Sequence, residues 1–141
     1  LREKLETYSS KASYRILKYR EQAERMYEAS MILENIFDNI LPPIISSISE
    51  KAEEMEIKTG FGSLYPISGI TFDIDQKPVY TEPRVFVSIK PTSPKHPVSS
   101  SDLEKLGDFI LKEYSESLYR REDRDLVEYD FDRISFYIKG K

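Results

Sequence analysis

The first 41 residues contain neither proline nor glycine, and no other feature limits the possible folds as much. Apolar side chains recur there at spacings of three and four: Leu5, Ala12, Ile16, Tyr19, Ala23, Met26, Leu33, Phe37 and Ile40, interrupted by Ser9 and Ser30. A helix gathers such positions on one side. At about 1.5 Å per residue it would extend about 60 Å, beyond the body of a small domain. From Met31 onward ("MILENIFDNIL") the helix turns apolar on more than one side, so its second half is expected in a core and its first half is expected to project. A projecting apolar stripe is costly in water, and its simplest cover is the same helix of a second copy. Leu5, Ala12, Ile16, Tyr19, Ala23 and Met26 are therefore the expected interface of a homodimer or small homo-oligomer. Tyr14 and Tyr27 flank it as further contact candidates.

Pro42-Pro43 are expected to break this helix, which divides the chain into an arm over 1–41 and a compact body over 42–141. A second helix is expected from Pro43 to Lys58, with Ile44, Ile48, Ala52 and Met55 on one face and Gly60 as its cap. "TGFGSLYPISG" reads as a loop. Two alternating stretches follow, Ile70-Phe72-Ile74 and Val85-Val87-Ile89, and pairing them as a hairpin sets Ile74 opposite Val85 and Asp75 opposite Arg84. A third helix opens at Ser101-Asp102-Leu103-Glu104 in the manner of a capping box and carries Leu103, Leu106, Ile110, Tyr114 and Leu118. A last strand spans Leu126 to Ile138, with a bulge or bend near Asp132-Arg133 where the apolar parity switches. The fold class is thus α+β: two helices, then a small sheet of about three strands in the order β-β-α-β, with helices packed on one face.

Composition narrows the function. With no cysteine and His96 as the only histidine, thiolate metal sites, histidine triads and disulfides are excluded. No apolar run approaches the roughly 20 residues of a membrane span, and nothing resembles a signal peptide, so a cytoplasmic protein without membrane contact is expected. The chain starts at Leu1 without an initiator methionine, so an N-terminus that was trimmed or cut from a longer protein is expected. Asn and Gln occur only at Gln22, Asn35, Asn39 and Gln76 while 33% of residues are charged, a bias expected of a thermophile.

Two constellations could carry chemistry. "TFDIDQ" and "YDFDR" place Asp73, Asp75, Asp130 and Asp132 on strands, where converging carboxylates would hold Mg²⁺ or Mn²⁺ for phosphodiester hydrolysis. The order helix, Asp-bearing hairpin, "VFVSIK", helix, strand resembles the core of the PD-(D/E)xK nucleases, but Ser88-Ile89-Lys90 supplies a serine where that pattern has its acid. A solvated sheet face explains these aspartates more simply, so no catalytic residue, resident metal or cofactor is expected. Lys4, Lys11, Lys18 and Arg25 recur every seven residues beside Arg15, a basic stripe suited to nucleic-acid phosphates or an acidic partner. The chain as a whole carries a formal charge of −4, Glu21, Glu24 and Glu28 dilute the stripe, and such a stripe is more often the solvated flank of a coiled coil. The reading that fits best is a non-enzymatic assembly or adaptor protein that self-associates through its first helix and engages a further protein partner. A nucleic-acid-associated protein comes second and a metal-dependent nuclease third.

Overall fold

The computed structural model describes residues 2–94 and 96–140, and for residues 2–16 the backbone alone. Helix α1 (Arg2–Asn35) is 34 residues long, about 50 Å. It runs through one wide π-helical turn, Ile36–Ile40, directly into α2 (Leu41–Glu54). The expected break at Pro42-Pro43 is absent: Asn35, Ile40 and Leu41 all keep right-handed helical dihedrals. The prolines sit in the first turn of α2, where a missing amide donor costs little. The π-turn, closed by the Leu41 amide donating to the Ile36 carbonyl, takes up the backbone adjustment just before them.

Helix α2 ends earlier than Lys58. Glu56 adopts a positive φ of 60°, and the Glu56 and Ile57 amides donate back to the Glu53 and Ala52 carbonyls at 2.9 Å each. This is a Schellman ending with a glutamate in the position glycine usually fills. Gly60 is not the cap; it lies within the next strand.

That strand, β1 (Lys58–Ile67), occupies the segment expected to be a loop. It is followed by β2 (Ile70–Phe72), β3 (Pro78–Tyr80), β4 (Arg84–Thr92), helix α3 (Ser100–Tyr114), β5 (Glu128–Asp130) and β6 (Arg133–Lys139). The main sheet is antiparallel with the order β1-β4-β6-β5, while β2 and β3 form a separate two-stranded hairpin. The α+β class holds, but the sheet has four strands rather than about three and its order differs from the expected one.

The expected hairpin between the 70–74 and 85–89 stretches does not form. Ile70 pairs with Tyr80, while Pro66, Leu64 and Phe61 stand opposite Val85, Val87 and Ile89. Gly69 is the reason the chain can divide this way. At φ +77° it makes a reversal in which a Cβ would strike the Thr81 carbonyl, and its own carbonyl accepts from the Thr81 amide at 2.7 Å. Ile74, placed in the core by its alternation, is fully exposed in the β2–β3 turn.

The core lies between one sheet face and the helices. Val85, Val87, Ile89, Ile134, Phe136 and Ile138 point from β4 and β6 toward Ile36, Ile44, Ile48 and Ala52 on one side and Leu103, Leu106 and Ile110 on the other. Helix α3 is capped by Ser99, whose hydroxyl accepts from the Asp102 amide at 3.2 Å, rather than by Ser101. It stops at Tyr114, and Leu118 instead bridges to Ile138. The parity switch near Asp132 proves to be a tight hairpin turn: Asp130 pairs with Arg133, and Phe131 at its tip has φ 52°.

Tyr129, on β5, lies beside α3. Burial first, and then the charges of Asp108 and Glu104, raise its phenol above the ordinary value of 10.0. The folded state therefore favours the neutral ring. That contribution is complete below about pH 10 and fades as pH rises through the raised pKa, because the unfolded chain loses its proton first. In Tyr129→Phe, the alkaline fall of the urea midpoint above about pH 10 should be shallower than in the parent.

Candidate functional site

The inner and outer sides of α1 differ sharply. Its inner side rests on the small hairpin and the core: Leu17, Lys18 and Glu21 line a cleft with Pro78 and Tyr80, the Arg25 guanidinium sits 4.5 Å from the centre of the Tyr80 ring, and Ala29 and Ile36 are buried. About a third of a turn away lies the expected stripe. There Tyr19 is 68% and Met26 61% exposed, and Ala23 is exposed as well. Further along the same side Leu33 and Phe37 are half-buried against the core. Leu5, Ala12 and Ile16 fall outside the residues whose side chains are described, as do Lys4, Lys11 and Arg15. Of the basic stripe, Lys18 and Arg25 are described, and both face β3.

The four aspartates are placed apart by function as well as by sheet. Asp73 closes the β2–β3 turn: its carboxylate accepts from the Lys77 amide at 2.8 Å, and its amide donates to the Lys77 carbonyl at 3.0 Å. Asp75 is exposed in the same turn. Asp132, beside the β5–β6 turn, pairs with Lys90 at 3.5 Å and with Arg133 at 3.8 Å, and Asp130 lies cross-strand from Arg133. Among the described residues no three acidic or histidine side chains gather to hold a metal ion. Asp75 has no Arg84 opposite it, because the register that would supply one does not form.

The helices cover one face of the main sheet, and strand alternation gives the other face an ordered set of rows. Register across β1, β4 and β6 aligns Tyr65 with Phe86 and Phe86 with Tyr137, and the Leu118 bridge brings Tyr119 beside Tyr137. The ring centres follow one another at 4.9, 5.1 and 6.4 Å. The next row along the strands is Ser63, Ser88 and Ser135, beyond which come Lys90 and Arg133. Gly62, at a bulge in β1, leaves room for Arg133 to lie across the sheet; a Cβ there would stand 2.9 Å from Arg133 Nη1.

On the other side of the aromatic row, Arg84 and Lys139 are direct cross-strand neighbours, two like charges that repel. The Arg84 guanidinium stacks on Tyr119 at 4.4 Å and reaches Tyr137 at 5.7 Å, and its Nε is buried without a hydrogen-bond partner. Arg121 lies 5.6 Å from the Tyr137 ring centre and donates to its hydroxyl at 3.1 Å. Among the described residues, none of Arg84, Arg121 and Lys139 has a carboxylate in ion-pair range. The sequence shows each of these residues but not the row, because assembling it requires β1 to be a strand.

No protein-family model matches the chain, and no curated protein or solved structure matches it. Among the described residues no helix is long and apolar enough to cross a membrane.

Proposed function

We propose that the protein is a non-enzymatic assembly or adaptor protein that self-associates through the outer side of α1. The supporting observation is the apolar stripe left open on a helix whose inner side is already engaged. Tyr19, Met26 and Leu33 are seven residues apart, as are Ala23, Ser30 and Phe37, the spacing at which two helices interlock side chains along a seam. Ala23 and Ser30 are small, so a second helix can approach closely between the larger residues. The seam is continuous with the core at Leu33 and Phe37, which ties the paired helices to the two bodies. Exposed apolar side chains on a helix are costly in water, and a partner helix supplies cover for Tyr19, Ala23 and Met26.

The test is a Tyr19→Glu/Met26→Glu double substitution examined by light scattering behind a sizing column. The parent is expected at twice the 16.5 kDa chain mass, and the variant at the single-chain mass. Near-ultraviolet circular dichroism of the body should be retained, because both side chains are exposed within one chain. A parent and variant of equal mass would refute the seam. Leu33→Glu behaves differently under this reading: Leu33 packs on the core, so its loss lowers the melting temperature of the body itself.

A further inference from the structure

We propose that the uncovered face of the main sheet binds single-stranded nucleic acid, with bases stacked on Tyr65 and Phe86 and phosphates taken by Arg84, Arg121 and Lys139. Stacking needs ring faces held at a fixed level, and the sheet register provides them: Tyr65 is 47% exposed on an edge strand, and its ring stands 4.9 Å from that of Phe86. Among the described residues neither ring has a cation over it, whereas Tyr137 and Tyr119 are already occupied by the two guanidinium groups. The row thus sets the exposed Tyr65 and the half-buried Phe86 beside two rings that carry guanidinium groups, which places base platforms next to phosphate contacts as a single strand requires.

Charge complementarity points to a polyanion. The protein is acidic overall, at −4, yet this end of the sheet holds three cations that have no ion pair among the described residues, two of them set directly opposite each other. A bound phosphate relieves the repulsion between Arg84 and Lys139. Arg121 is anchored at the hydroxyl end of Tyr137 by its hydrogen bond, its guanidinium carbon 5.6 Å from the ring centre, which pre-orders its remaining donors. The ring faces then choose among polyanions. An acidic peptide would use the cations but gain nothing from Tyr65, whereas every base offers a flat ring that stacks on it.

Fluorescence anisotropy with labelled single-stranded DNA and RNA of mixed sequence, alongside a polyglutamate peptide of equal length, tests this on the full chain. The oligonucleotides should bind and the peptide should not. Affinity should fall about 20-fold between about 50 and about 200 mM salt, as neutralisation of three phosphates on a single strand implies. Tyr65→Ala should weaken binding about tenfold, the scale of one lost stack. Tyr65→Leu, which keeps apolar area on the strand but removes the ring, should weaken it similarly, so a folding defect in the alanine variant does not decide the matter. Arg121→Ala should weaken binding and flatten the salt dependence, while Lys105→Ala on α3 leaves both unchanged. Absence of binding at low salt would overturn the proposal, as would equal binding of polyglutamate. So would binding that survives Tyr65→Leu and Arg121→Ala but is lost in Lys11→Ala/Arg15→Ala, which would move the contact to α1.

Discussion

Replacing Ile36 with aspartate should leave a chain that does not reach the native state. Ile36 is fully buried in the π-turn, where α1 gives way to α2, and it is packed within the cluster that joins both helices to β6. An aspartate there must either be buried as an unpaired charge or take up a proton, and both cost several kcal/mol. A domain of this size has about 5–15 kcal/mol of total stability, so one such change is enough to unfold it. The expected observation is loss of near-ultraviolet circular dichroism and of a cooperative urea transition at neutral pH. Ile36→Val, which keeps the shape less one methyl group, should cost only about 1 kcal/mol. A cooperatively folded Ile36→Asp protein would mean that the junction of α1 and α2 does not sit on the body as described.

Phe136→Ala should be nearly as damaging and tests the sheet rather than the helical junction. Phe136 is 1% exposed at the middle of β6, opposite Val87, and removing a buried ring from a packed core costs about 3–5 kcal/mol. For a chain of this length that corresponds to a fall in melting temperature of about 10–20 °C. Phe72→Ala gives the contrast. By alternation alone Phe72 would be as much a core residue as Phe136, but it is 61% exposed on the small hairpin, so its loss should change stability by less than about 0.5 kcal/mol. Reversed sizes for these two effects would restore the 70–74 stretch as the partner of β4.

These contrasts mark where the sequence was informative. Helix α1 was legible because a helical period sustained over dozens of residues has few competing explanations. The buried faces of β4 and β6 were legible because Val85, Val87, Ile89, Ile134, Phe136 and Ile138 recur at every second position. Strand β1 was not, since Gly60, Gly62 and Pro66 are residues that weaken a strand and commonly punctuate loops. They are tolerated because β1 is an edge, where one side needs no partner, and because Gly62 admits Arg133. Losing β1 then misdirected the reading of its neighbours: β4 needed a partner, and Ile70-Phe72-Ile74 offered the right alternation for the wrong reason.

The turn at Phe131-Asp132 escaped notice on different grounds. A positive φ is uncommon for an aromatic residue, and "DFDR" contains no glycine or asparagine to announce a two-residue reversal. The parity switch was visible, but a bulge and a hairpin produce the same switch. The same limit applies to the candidate sites. The α1 stripe could be seen because all its members lie on one helix. The aromatic row could not, because Tyr65, Phe86, Tyr119 and Tyr137 come from four separate segments and meet only through register.

Under the proposed function, two copies of the chain pair along α1. Molar mass in solution tests it most directly, measured by light scattering on the unmodified chain over a range of concentrations. Twice 16.5 kDa, falling toward the single-chain mass only on dilution, is expected. A mass of 16.5 kDa at every concentration would contradict it and leave the outer side of α1 to a different partner.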